Sequence, residues 1–199
     1  MPQRWIYWFF ATFLILCCGR TPAVPAAEVS FAEARFESST DATKMLLHVR
    51  YFGGLGASFQ SLSLYGDGRL VLKRGRKNKV EQEHTDYLNS DEGQVLVRMA
   101  VDAGLAEWDG TAFLAKCLEA NAGRPVTVPS DAMRAVVLLS LDNYSRGTYT
   151  RGPLEQKIDL AGPKFLARHF PDLSEADGVS KLVDELLNRL RFFQDQARD

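Results

Sequence analysis

Apolar and small polar residues alternate through Phe59–Tyr65 (FQSLSLY), with Leu62 and Leu64 on one face and Ser61 and Ser63 on the other. Gly66-Asp67-Gly68 follows, and then Arg69-Leu70-Val71-Leu72-Lys73. A period of two on both sides of a glycine turn predicts a β-hairpin, the glycines supplying the positive φ angles that a tight turn demands. Asp67 between them is explained by turn chemistry. Met45–Phe52 predicts a strand before this hairpin and Lys79–Thr85 one after it, with a first strand at Val29–Phe36. Gly53-Gly54-Leu55-Gly56 interrupts the pattern. No helix and no GK[ST] ending follows, so it reads as a flexible turn and not as a phosphate-cradling loop.

The period changes after Leu88. Asn89 with Glu92, or Ser90 alone, caps a predicted helix whose apolar stripe is Val95, Leu96, Met99, Ala100 and Ala103, ended by Gly104. Thr111–Asn121 predicts a shorter helix that stops at Gly123, and Arg124–Pro129 a loop. Met133–Tyr144 is a nearly continuous apolar run rich in Val and Leu, which predicts a central strand covered on both faces. Thr148–Arg151 returns from it, and Gln156–Leu160 is one more short strand. Near the end, Val179, Leu182, Val183, Leu186, Leu187, Leu190 and Phe193 recur at three and four residues, with Asp184, Glu185 and Arg189 opposite. That spacing predicts an amphipathic helix packed on its own sheet, with Phe192 and Phe193 marking a small contact patch.

Hairpins, then two helices, then a hairpin, then a helix: this order predicts an α+β fold, an antiparallel sheet of five to seven strands with about three helices mainly on one face. Alternating βαβ units are absent, so a dinucleotide-binding fold is not expected.

The first residues carry a different signal. Arg4 is followed by an apolar run from Trp5 to Cys18, broken by Thr12, and then by small residues at Val24-Pro25-Ala26-Ala27. This order is that of a secretory signal peptide. The run is shorter than the roughly 18–20 residues that span a bilayer. The expected organisation is a signal peptide at 1–27, cleaved after Ala26 or Ala27, and a single α+β domain at 28–199, exported to the periplasm or secreted, with no transmembrane span in the mature chain. Lipidation at Cys18 is the alternative, although Leu16 and Cys17 stand where a lipidation site wants a small residue; an uncleaved anchor is another.

Losing the leader changes the charge. Arg4 and Arg20 leave with it, so 24 Lys+Arg become 22 against 25 Asp+Glu, a net of −3. A nucleic-acid partner is not expected from that balance. Cys17 and Cys18 leave too, so Cys117 stands alone and no intramolecular disulfide forms. Leu114, Cys117 and Leu118 share a helical face, which predicts a buried, inert thiol.

The segment Leu64-Tyr65-Gly66-Asp67-Gly68-Arg69 resembles a hairpin of exported bacterial domains of unknown function. In those, an apolar strand ending in Tyr-Gly-Asp-Gly leads to a capped helix and then to an Asp-initiated apolar strand. Here Asp91–Ala103 and Ser130-Asp131 before Met133–Leu141 stand in those places, and the likeness covers Leu46–Leu190. It implies no activity and assigns no site residue.

Catalytic and metal motifs are lacking. His48, His84 and His169 are the only histidines, and none pairs with another at helical or strand spacing. Glu81 and Glu83 share a strand face, His84 the other, a pattern of solvated edge charge. No GxSxG occurs; Ser58 and Ser130-Asp131 sit at turns. No cofactor is implied. The best candidate is the basic run Lys73-Arg74-Gly75-Arg76-Lys77-Asn78-Lys79, with Arg69 nearby, placed on a connection that would present it to solvent. The expected contact set is therefore Arg69, Lys73, Arg74, Arg76, Lys77 and Lys79, and the expected role is non-catalytic binding in the envelope or secreted fraction, to an anionic surface or a partner protein. The alternatives are a hydrolase using Glu81, Glu83 or Asp131, and a lipid-anchored structural protein.

Overall fold

Most of the predicted strands form, and several run longer than the pattern alone marks; of the strand expected at Val29–Phe36, residues 29–32 lie outside the described residues, and the observed strand begins at Arg35. The computed structural model describes residues 33–53 and 58–196, all of which belong to one compact unit. The expected leader and the glycines at 54 and 56 lie outside the described residues. The element order is β1 (Arg35–Glu37), β2 (Met45–Gly53), β3 (Ser58–Tyr65), β4 (Arg69–Arg76), β5 (Lys79–Tyr87), α1 (Ser90–Asp102), a 3-10 turn (Leu105–Glu107), α2 (Gly110–Ala120), β6 (Arg134–Leu141), β7 (Asn143–Arg146), β8 (Tyr149–Arg151), β9 (Leu154–Ala161), α3 (Pro163–His169) and α4 (Ser174–Gln196). The fold is α+β. Six strands form an antiparallel sheet in the order β5-β4-β3-β2-β6-β9, and β1, β7 and β8 form a small second sheet.

Local chemistry explains the boundaries. Asn89 and Glu92 close a reciprocal capping box on α1: the Glu92 amide donates to Asn89 Oδ1 at 2.9 Å, and the Asn89 amide donates to Glu92 Oε2 at 3.0 Å. Gly68 (φ 82°) turns the first hairpin and Gly104 (φ 78°) follows α1, both in the left-handed region expected of them. α3 was not visible as a helical period, because seven residues beginning at Pro163 hold only two buried positions, Pro163 and Leu166.

The run Met133–Tyr144 is not one strand. It ends at Leu141, turns at Asp142, and re-enters the second sheet as β7. The Asp142 amide donates to the Glu37 carbonyl at 2.8 Å and its carboxylate pairs with Lys44, which pins the corner. Nor is β6 covered on both faces among the described residues. Its burial alternates, with Ala135, Val137, Leu139 and Leu141 buried and Val136, Leu138 and Ser140 half-buried.

β9 alternates in the same sense, whereas β3 and β4 are buried on both faces at their centres and β5 is exposed almost throughout. One face carries Leu47, Val49, Leu62, Leu64, Leu70, Leu72, Val137, Leu139 and Ile158 into a core shared with the helices. Val179, Leu182, Val183 and Leu186 of α4 meet it there, each 2% exposed or less. Burying each is worth about 1.5–3 kcal/mol relative to exposure. The Leu–Leu and Val–Val cross-strand pairs Leu47↔Leu139, Val49↔Val137 and Leu62↔Leu72 belong to the same buried core. No helix among the described residues is long and apolar enough to cross a membrane.

Gly178 sets how close α4 can come to α1. A Cβ there would stand 2.0 Å from the Ala103 Cβ. Alanine is the better helix former by about 1 kcal/mol, but overpacking a tight contact costs about 1–3 kcal/mol. Gly178→Ala is therefore expected to lower stability in urea denaturation despite its propensity gain; an unchanged or higher midpoint would show that the two helices are free to separate.

Candidate functional site

The basic run is built into a hairpin. It does not lie on a loop, as its composition suggests: Lys73, Arg74 and Arg76 belong to β4, Lys79 begins β5, and only Lys77 and Asn78 form the turn. Both turn residues have positive φ, 47° and 65°. This is the type I′ arrangement that suits strand twist, although Lys77 is a poor residue for it. Arg50 Nη2 on β2 donates to Asn78 Oδ1 at 2.9 Å and holds the turn against the sheet. Behind it the register slips, with Arg74 opposite Gln82 and Gly75 opposite Val80. Glu81 is the extra residue of this bulge. Gly75 permits the close approach, since a Cβ there would fall 1.9 Å from the Lys79 carbonyl oxygen.

The six expected contact residues part into two groups. Arg69 and Lys73 are occupied: the Arg69 guanidinium lies 4.0 Å from the Tyr65 ring centroid and 3.8 Å from Asp67, and Lys73 Nζ is 3.2 Å from Glu83. Arg74, Arg76, Lys77 and Lys79 are exposed and have no ion-pair partner among the described residues. They cluster at the free end of the sheet's edge hairpin. A cleft of about 410 Å³ lies beside them, lined by Ser58, Gln60, Arg74, Arg76, Glu81 and Gln82.

A second basic group escapes sequence reasoning. The sheet face away from the core carries Arg50 and His48 on β2, opposite Ser61 and Ser63 on β3, which stand opposite Lys73 and Val71 on β4. No helix covers this face among the described residues. Arg50 lies over Phe59 (4.9 Å) and Phe52 (5.4 Å), and its Nε is buried without a hydrogen-bond partner. An unmet donor of this kind costs about 1–3 kcal/mol, partly offset by the two ring contacts. His48 Nδ1 is 2.8 Å from Ser63 Oγ. Burial, then Arg50, then Lys73 push the His48 imidazole below its ordinary value. Residues 48, 50, 61 and 63 are scattered across two strands, and only the register brings them together with Lys73.

The carboxylates expected of a hydrolase do not converge. Glu83 is held by Lys73, Glu81 sits at the bulge, and Asp131 lies in the turn before β6, four strand spacings or about 19 Å across the sheet. The bulge also breaks the shared face expected of Glu81 and Glu83. His84 points to the core side and lies tilted against Phe193, ring centroids 3.7 Å apart, beside a groove of about 700 Å³ that Leu72, Arg74, Gln82, Leu190 and Phe193 help to line. Glu83 borders that groove too, but as the neighbour of His84 on a strand it projects its side chain to the opposite face. His48 and Ser63 make a dyad without an acid: no carboxylate is hydrogen-bonded to that imidazole among the described residues, and Ser63 is only 7% exposed. No cluster of three or more His, Cys, Asp or Glu suits a metal ion among the described residues. Cys117 is buried beneath α2 with Phe113, while Leu114 and Leu118 turn outward; burial and then Glu175 raise its thiol pKa, which disfavours the nucleophilic thiolate.

The depressed His48 has a consequence for stability. The folded protein binds this proton less readily than the unfolded chain, whose imidazole titrates near 6.5. Its contribution to stability is whole above pH 6.5 and is lost as pH falls through the lower folded value. Urea midpoints measured between pH 7.5 and 5.5 should fall in the parent and fall less in His48→Gln; parallel curves would remove the linkage. Against known proteins, the chain matches no family model and no curated protein.

Proposed function

We propose that this is an exported, non-catalytic domain that binds a polyanionic surface of the cell envelope through the tip of its β4–β5 hairpin. The observation that carries the reading is the group Arg74, Arg76, Lys77 and Lys79, four exposed cations without an ion-pair partner among the described residues, at the end of one edge hairpin. Most other basic residues are paired, among them Lys44, Arg98, Lys116, Arg134, Arg146, Lys164, Lys181 and Arg189. A net-negative protein that leaves four cations unpaired in one place has a field that is local and directional. The bulge at Glu81 and the pinning of Asn78 by Arg50 give the tip a fixed shape, which lowers the entropy cost of engagement. A rigid edge strand rich in charge also resists pairing with other strands, which suits a surface contact more than strand exchange.

Replacing all four tip cations by Gln is expected to abolish retention on an anionic matrix at low salt. Folding stability should stay within about 0.5 kcal/mol, since the sites are exposed. If four phosphate-like charges are engaged, parent affinity should fall about 10²-fold between 50 and 200 mM salt. Equal retention of variant and parent would end this reading. Export is tested separately by the intact mass of the protein from the producing cell: an N-terminus at Ala27 or Glu28 supports it, and a full-length chain in the cytosol overturns it.

A further inference from the structure

Small residues between long cations mark a place the hairpin tip does not use. On the sheet's open face, register sets Lys73, Ser61 and Arg50 side by side on β4, β3 and β2. The next row on that face is Val71, Ser63 and His48. Neighbouring strands lie about 4.8 Å apart, so the Arg50 and Lys73 backbones flank Ser61 roughly 10 Å apart, with the guanidinium leaning over Phe59 toward Asn78 and the ammonium toward Glu83. Both serines are sunk between their neighbours, Ser61 5% and Ser63 7% exposed. The Phe52 and Phe59 rings and the Asn78 oxygen fix the Arg50 guanidinium, whose Nε is buried against them without an acceptor, which leaves the terminal nitrogens as the donors for a ligand. Val71, Val136 and Leu138 bound the trough with apolar surface, which strengthens any charge interaction within it.

We infer that this trough seats one oxyanion, a phosphate or phosphomonoester, held between Arg50 and Lys73 above the Ser61 hydroxyl. A planar guanidinium presents paired donors that match phosphate oxygens, and an ammonium adds a point charge. The serine hydroxyl supplies a neutral donor from below. Glu83 contacts Lys73 from the outer strand and would give up that contact to the anion. The seat shares only Lys73 with the six residues picked out from the basic run and none with the four at the tip, so it stands independently of the envelope reading.

His48 is a built-in reporter. The charged groups around it on this face are Arg50, Lys73 with Glu83, Lys157 beyond Leu138, and the Arg134–Asp159 pair beyond Val136. The experiment is a titration of the full chain with inorganic phosphate at constant ionic strength, balanced with chloride, following the imidazole proton signal that His48→Gln removes. A saturable shift with half-saturation on the order of 1 mM, and an imidazole that then protonates at higher pH, would support the seat. Lys73→Gln and Ser61→Ala should each weaken it, Lys73→Gln about tenfold. The variant with Gln at the four tip positions should bind phosphate as the parent does. A linear, unsaturable response, unchanged titration in both Lys73→Gln and Ser61→Ala, or loss of binding in the tip variant would each overturn the proposal. In the tip variant, phosphatidate vesicles that displace bound phosphate, where phosphatidylcholine vesicles do not, identify a lipid headgroup; vesicles that leave it bound identify a soluble phosphate.

Discussion

The structure depends on the commitment of one sheet face to α4. Leu62, Leu64, Leu70 and Leu72 point one way because strand residues alternate, and Val179, Leu182, Val183 and Leu186 close over that floor. Gly178 lets α4 and α1 lie close enough to share the roof. Once these residues are fixed, their neighbours have no choice of side. Ser61, Ser63, His48, Arg50 and Lys73 must face away from the core, whatever their chemistry. A one-residue slip in register would send every one of them inward. The same packing that makes the core therefore decides which polar groups remain available for binding.

The pattern of the sequence showed the inner half of this arrangement well. Leu62 with Leu64, and the stripe from Val179 to Phe193, have periods that only one secondary structure satisfies. Asn89 with Glu92 marked a helix start that the capping box realises. The failures share a cause. The run from Met133 to Tyr144 has no polar break strong enough to show that the chain turns at Asp142, because that corner is made by Glu37 and Lys44, about a hundred residues earlier. The basic run looked like a loop because Lys77 is an unfavourable residue for a two-residue hairpin turn. The usual glycine is absent, and the turn forms because Arg50, distant in sequence, binds Asn78. Tertiary contacts settled both cases, and local propensity carries no trace of them.

Charge was legible in quantity and illegible in placement. Five cations in seven residues were plain, but not that they would divide. Alternation sends Lys73 to the open face beside Ser61, while the turn gathers Arg76, Lys77 and Lys79 at the tip. The bulge at Glu81 then separates the two carboxylates: Glu83 meets Lys73 on the open face, while Glu81 lines the cleft beside Arg74 and Arg76.

The edge strand gains a second property from the same defect. β5 is exposed along nearly its whole length and, among the described residues, pairs on one edge only, a hazard for strand-to-strand association. Lys79, Glu81, Glu83 and Asp86 charge it, and the bulge increases its twist. Each device that discourages another strand from adding here leaves side chains, not backbone, as the means of contact. A partner that reads backbone is disfavoured at this edge, and a partner that reads charge is not. The bulge thus acts twice: it twists the edge strand away from pairing, and it sets Glu81 in the cleft beside Arg74 and Arg76 instead of along the open face with Glu83.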